Sequence, residues 1–211
     1  ETFVVNKNNQ IEYGLSALKD VGKKFIEEVC LERQKGNFKS LMDFASRIDL
    51  RKGGIRSLQS LAKSGAFDEI VDRDLAASSM RSYLEASEQK FKSKESGMLE
   101  MFASNDDLKV SEVKVKKHTE SEKLKMELES FGFYFSKHPV SILRRTLSAR
   151  LNPIKKLVTS NNEKYIPVLI NQKRIIKKGS NILVFLEVSD ETGLIDVSVP
   201  LELHDLKKPL F

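Results

Sequence analysis

Apolar residues recur at helical spacing through the first two thirds of the chain and at strand spacing through the last third. Residues 3–13 read as a short strand pair around Lys7-Asn8-Asn9, since asparagine tolerates turn conformations. From Leu15 the pattern becomes helical. Leu15 and Leu18 precede Asp20-Val21-Gly22, and Val21, Phe25, Ile26, Val29 and Cys30 mark one helical face that ends near Gly36. Ser40 is placed as the N-cap of a helix carrying Leu41, Phe44 and Ile48, with Asp43 at the capping-box position. Gly53-Gly54 interrupts the pattern, and a further helix with Ile55, Leu58, Leu61 and Ala62 is stopped by Gly65. Residues 72–96 are helical with a thinner apolar face of Leu75, Met80, Tyr83, Leu84 and Phe91. Residues 103–119 lose periodicity and read as a linker, with Asn105, Asp106 and Asp107 followed by Lys114, Lys116 and Lys117. Helical spacing returns at Leu124, Leu128 and Phe131 and ends near His138-Pro139, and a short helix then holds Ile142, Leu143 and Leu147.

After Pro153 the chain changes character. Tyr165 to Ile176 and Ile182 to Val188 are rich in β-branched and aromatic residues, and Leu194, Ile195, Val197 and Val199 interleave with Asp196 and Ser198. The separators, residues 177–181 and 190–193, are turn-like. This pattern predicts a β-meander of the kind found in OB-type barrels, which bind single strands. The expected class is therefore α+β and multidomain, a helical part followed by a partial OB-type barrel.

With 211 residues, 40% hydrophobic and 31% charged, the chain is long enough for one or two packed cores and too apolar for wholesale disorder. No apolar run reaches bilayer-spanning length, and Glu1-Thr2-Phe3-Val4-Val5 lacks the basic start of a signal peptide. The missing initiator Met is expected of a piece of a longer protein. The single cysteine, Cys30, reads as a small buried side chain rather than a reactive thiol and fits a reducing cytosol. The net charge of +6 is compatible with nucleic acid without requiring it.

Four segments carry candidate chemistry. Residues Leu15 to Phe25 resemble a helix-hairpin-helix motif, in which hairpin N–H groups and a helix N-terminus hold a DNA phosphate. Here Asp20, Val21 and Gly22 form the hairpin, Asp20 stands where glycine is usual, and Lys23 and Lys24 add salt-sensitive attraction. The competing reading is a plain helical turn capped by glycine. The segment Leu58 to Phe67, with Ser64-Gly65-Ala66-Phe67 as its turn, looks like a degenerate second hairpin, although taken alone a C-capped core helix is the better reading. Met98, Leu99, Glu100, Met101 and Phe102, after Gly97, form a short apolar cluster that either docks into a partner's pocket or closes the helical core. On the meander, Lys173, Arg174, Lys177 and Lys178 suit a nucleic-acid backbone, or else form a solvated basic edge. Phe185 alternates with residues expected to be buried, so no clear stacking platform is expected.

Catalytic readings fare poorly. Two-metal nucleotidyl transfer needs carboxylates converging on rigid elements, whereas Asp72 and Asp74, Asp106 and Asp107, and Asp190 and Glu191 lie in turns or helix starts, where acids cap. His118, His138 and His204 lack zinc-ligand company, and no phosphate-loop or dinucleotide fingerprint occurs. No catalytic or metal site is expected in this chain.

The order of the features is more specific than any one. The run Ile11 to Gly22, then Phe38-Lys39-Ser40-Leu41-Met42-Asp43-Phe44, Ser64-Gly65-Ala66-Phe67-Asp68, Glu129 to Pro139 (ESFGFYFSKHP) and Glu187 to Gly193 resembles the C-terminal region of the alpha subunits of bacterial DNA polymerase III. The resemblance implies a tandem helix-hairpin-helix domain over 1–70, a helix, clamp-binding segment and linker over 71–122, a helical connector over 123–155 and a partial OB domain over 156–211. It implies duplex DNA at the hairpins, single-stranded DNA near the OB domain, a sliding clamp at residues 98–102, other replicase subunits as partners, and a bacterial cytoplasmic setting away from membranes. Met98 stands where the family's clamp motif commonly has Gln. The polymerase acids and their Mg²⁺ would lie upstream, which leaves this chain cofactor-free and non-catalytic within a DNA-directed DNA polymerase. Rival readings are a repair or branch-migration protein combining the same two folds, which the FYFSKHP stretch opposes, and an interaction scaffold without a DNA role.

Overall fold

A computed structural model describes residues 3–95, 110–147, 151–157, 165–178 and 181–200, and the chain divides into two compact units, residues 1–135 and 136–211. The first unit opens with a two-stranded antiparallel ribbon, β1 (Val4–Val5) and β2 (Ile11–Glu12). Its turn is held by the Asn6 side-chain oxygen accepting from the N–H of Asn8 and Gln10, with Asn9 left-handed at φ 57°. Five helices follow: α1 (Lys23–Gln34), α2 (Leu41–Arg47), α3 (Gly54–Ser64), α4 (Arg73–Glu95) and α5 (Glu120–Phe131). Short 3₁₀ turns, Leu15–Ala17 and Leu50–Lys52, precede α1 and α3.

Helix α3 packs against both α4 and α5. Its buried face, Leu58, Leu61 and Ala62, meets Phe25 and Ile26 of α1, Leu41 and Phe44 of α2, and Met80 of α4 in one core. The thin apolar face of α4 has a physical reason. Its buried positions include Ala76, Ser79, Met80, Ala86 and Ser87, mostly small residues that let helices approach closely. Ser87 Oγ accepts from the buried Leu50 N–H at 3.2 Å.

Residues 110–119, read from sequence as linker, are irregular but fastened to α4. The Lys116 N–H donates to Ser78 Oγ, and His118 Nδ1 lies 2.9 Å from the buried Asp74 carboxylate. Helix α5 then starts with a full capping box between Thr119 and Glu122. Its end corrects the sequence pattern, which ran on to His138. The helix stops at Gly132, left-handed at φ 86°, because that conformation closes the last turn and suits glycine.

The second unit holds α6 (Pro139–Thr146), a 3₁₀ turn (Ile154–Lys156) and an antiparallel sheet of β3 (Leu169–Lys178), β4 (Asn181–Asp190) and β5 (Gly193–Pro200), in the order β3-β4-β5. His138 caps α6, its Nδ1 accepting from the Val140 N–H at 3.2 Å. Nε2 then carries the hydrogen and donates to Ser189 Oγ on β4, at 3.0 Å. Asp190, buried at the end of β4, accepts from the N–H of Ile154, Thr192 and Gly193 and from Thr192 Oγ1. The meander agrees with the alternation read from sequence. Among the described residues its three strands do not close into a barrel. The stretch 123–155 is shared between the units, α5 in the first and α6 in the second.

Candidate nucleic-acid interface

The segment singled out around Gly22 folds as a tight hairpin. After the 3₁₀ turn, buried Leu18 and Val21 anchor its two sides, and the Lys19 N–H donates to the Ser130 carbonyl at 2.9 Å. Asp20 takes φ 62°, the left-handed conformation a glycine would otherwise supply, and aspartate is among the few residues that tolerate it. The departure from the usual glycine therefore leaves the backbone path intact. Gly22 itself has an ordinary φ of −73°, and a Cβ there would meet nothing within 4 Å. Neither strain nor packing asks for glycine at this position. What its bareness provides is open access to the backbone.

Of the two readings of Ser64 to Phe67, the structure shows the helix cap, and a turn resembling the first hairpin lies before α3. Gly65, at φ 85°, is the left-handed C-cap of α3, and Ala66 to Ile70 continue as turns, so Ser64 to Phe67 cap a core helix. The counterpart of the first hairpin is the turn Leu50–Lys52 with Gly53 and Gly54 leading into α3. Each hairpin runs from a 3₁₀ turn through a left-handed residue, Asp20 or Gly54 (φ 68°), into a helix. Gly53 lies against α1. A Cβ on it would come within 2.7 Å of the Phe25 ring, so the second hairpin seats its bare backbone on the helix that follows the first.

The helix starts separate into two kinds. Side chains of Ser40, Asp72, Thr119 and His138 accept hydrogen bonds at the starts of α2, α4, α5 and α6. The first turns of α2, α4 and α5 also carry acids, Asp43, Asp74, Glu120 and Glu122. Only α1 and α3, among the described helices, start with neither a side-chain cap nor an acid, and these are the two helices that follow the hairpins. Their first turns instead present the exposed cations Lys23, Lys24 and Arg56. Uncapped N–H groups with adjacent positive charge are what an anion requires. Beside the first hairpin a cleft of about 400 Å³ is lined by Lys19, Asp20, Arg56 and Gln59, with the Lys63–Glu129 ion pair (2.5 Å) on its wall. Sequence reasoning missed Arg56, whose signal was the Gly53-Gly54 pair just before it.

The basic residues of β3 do not act as one group. Buried Val184, Leu186 and Val188 define the inner face of the sheet, and register pairs Lys173 with Leu186 and Ile175 with Val184. Lys173 and Lys177 therefore lie on the inner side, while Arg174, paired with Phe185, lies on the outer side. The backbone of Lys178 pairs with Asn181 at the hairpin end.

The remaining candidates are dispersed. Asp74 faces His118, Lys117 at 3.9 Å and Lys123 at 3.7 Å. Burial acts against its charge, but hydrogen bonding from His118 and the nearby lysine outweigh that and keep its carboxyl below the ordinary value. Asp72 and Asp190 serve as caps, and Glu191 pairs with Arg144 at 2.7 Å. Cys30 is half-buried against the core. Met98, Leu99, Glu100, Met101, Phe102, Asp106, Asp107 and His204 lie outside the described residues.

Comparison with known proteins agrees with the geometry. Residues 1–76 match a helix-hairpin-helix motif family. The chain is 32% identical over 208 residues to the DNA polymerase III subunit alpha of Haemophilus influenzae, covering 93% of this chain and 18% of that protein. It is 31% identical to the subunit of the same name from Pasteurella multocida, with the same two coverages, and 29% identical to that of Bacillus subtilis, covering 92% of this chain and 18% of the relative. The chain thus spans about a fifth of the length of these relatives.

Proposed function

We propose that this chain, a homologue over nearly its whole length of one segment of DNA polymerase III subunit alpha, is a DNA-holding part of a replicative polymerase whose nucleotidyl transfer and Mg²⁺ are supplied elsewhere in the longer protein. The paired hairpins hold the backbone of duplex DNA. The observation that carries this is the contrast among helix starts. Among the described helices α1 and α3 alone are uncapped, both follow hairpins, and both lead with cations. Two such N-termini joined through Gly53 and Phe25 form a pair of phosphate sites held in fixed relation. The three-stranded meander, the described part of an OB-type domain in this reading, contacts the single-stranded template. Residues 98–102 dock on the sliding clamp through Met101 and Phe102, more weakly than a Gln-led motif because Met98 lacks the amide. Together these contacts support processive DNA replication.

The Gly22→Ala variant tests the hairpin role. Because the added methyl group meets no protein atom, the fold keeps its stability to within about 0.5 kcal/mol. A phosphate seated on that backbone loses close approach, so duplex affinity falls. Unchanged duplex binding by this variant would place the phosphate elsewhere. For the clamp segment, the double change Met101→Ala and Phe102→Ala abolishes clamp binding without unfolding the chain. Retained clamp binding, or an unfolded protein, would remove that part of the reading.

A further inference from the structure

The outer face of the β3-β4-β5 sheet has a chemistry of its own. Register sets three rows across it. The central row is Arg174, Phe185 and Ser198. Toward the β3–β4 hairpin lies a row with Ile176 and Leu183, and on the other side lie Gln172, Glu187 and Asp196. Phe185 is half-buried at the centre, on the side opposite the Val184, Leu186 and Val188 core, with exposed Arg174 and Ser198 flanking it. The Arg174 guanidinium donates to Gln172 Oε1 at 2.7 Å, which holds it over this face. An aromatic ring in the middle of an open strand row, beside a tethered guanidinium, is a surface for stacking flat rings. The acids Glu187 and Asp196 repel phosphate from one side of Phe185. Both acids stand on β4 and β5, so a bound backbone is met on β3, by Arg174.

We propose that Phe185 stacks an unpaired base and that Arg174 takes the adjoining phosphate, on the outer face of the sheet rather than the Lys173 and Lys177 face. The ligand class is single-stranded nucleic acid, because the bases of a duplex are already stacked and offer only their edges. This rests on the reading of the meander as a single-strand contact and adds which face and which ring make it.

The chain has no tryptophan, so Phe185→Trp introduces a single fluorescent reporter. Titration of the whole chain with a thymidine oligonucleotide should quench the introduced indole's emission along the same isotherm as anisotropy of the labelled oligonucleotide, and duplex competitor should not reverse the quench. Phe185→Leu keeps apolar bulk without a ring face and should weaken oligonucleotide binding about five- to a hundredfold. Arg174→Ala should flatten the salt slope by about 0.7. If the oligonucleotide binds the parent and the Phe185→Leu variant equally, with no quench in the Phe185→Trp variant, the outer face is not the site and the single-strand reading stands by other residues. If the parent binds no oligonucleotide, that reading falls together with this one.

Discussion

Replacing Gly53 by alanine separates packing from backbone strain at the junction of the two hairpins. Gly53 sits at φ −84° and ψ −37°, a right-handed conformation open to any residue, so alanine has no backbone cost. Its methyl carbon would lie 2.7, 2.8 and 2.9 Å from three atoms of the Phe25 ring. Carbon atoms rest at about 3.5–4.0 Å, so the ring must retreat by about 1 Å. Phe25 is only 3% exposed and packs within the core, which leaves it little room. Overpacking of this kind costs about 1–3 kcal/mol, or on the order of 3–15 °C in the midpoint of a unit this size. Thermal and urea unfolding of the parent and the Gly53→Ala variant read the loss. Combining Gly53→Ala with Phe25→Leu should recover about 0.5–3 kcal/mol relative to the sum of the single changes. A Gly53→Ala variant as stable as its parent, or strict additivity in the double variant, would refute the contact that fixes one hairpin against the other.

Three further outcomes concern the second unit. Asp190→Ala should destabilise it by about 3–5 kcal/mol, read by hydrogen exchange of β4 amides, because the change leaves Arg144 and several N–H groups without their buried acceptor. Burial holds the His138 imidazole below its ordinary value of 6.5, against the opposing pull of Glu191 and Asp190. The unfolded chain then binds that proton first, so stability present above pH 6.5 falls as pH drops through the lower folded value, and His138→Gln removes this slope. For Asp190, burial favours the neutral form, but hydrogen bonds from Thr192, Ile154 and Gly193 win and hold its carboxyl below 3.8, so its contribution is lost only in stronger acid, as pH falls through the folded value.

Local chemistry made much of the fold legible. Ser40 accepts from the Asp43 N–H as the capping pattern implied, Gly65 stops α3, and the expected turn within 190–193 separates β4 from β5. These features depend on neighbours in sequence. What stayed hidden depends on tertiary contact. Gly53-Gly54 reads as a break until the Phe25 ring shows why the backbone must be bare there. The basic run on β3 reads as one patch until register sends Lys173 and Arg174 to opposite faces, because a strand alternates its side chains and a single bulge between Ile170 and Gln172 sets which residue points where. Of the candidate interface, the first hairpin was visible in the residues. Arg56 was not, because its role depends on α3 lacking a cap.

The salt dependence of duplex binding tests the central claim most directly. Each phosphate neutralised contributes about −0.9 to the slope of log K against log salt. If the uncapped starts of α1 and α3 hold backbone phosphates, the whole chain binds duplex DNA with a steep slope. Replacing both Lys23 and Lys24 by alanine then weakens binding and flattens that slope by up to about two units. A double variant whose affinity and slope match the parent would contradict the account and leave the Gly22 hairpin as a capped turn in a helical core.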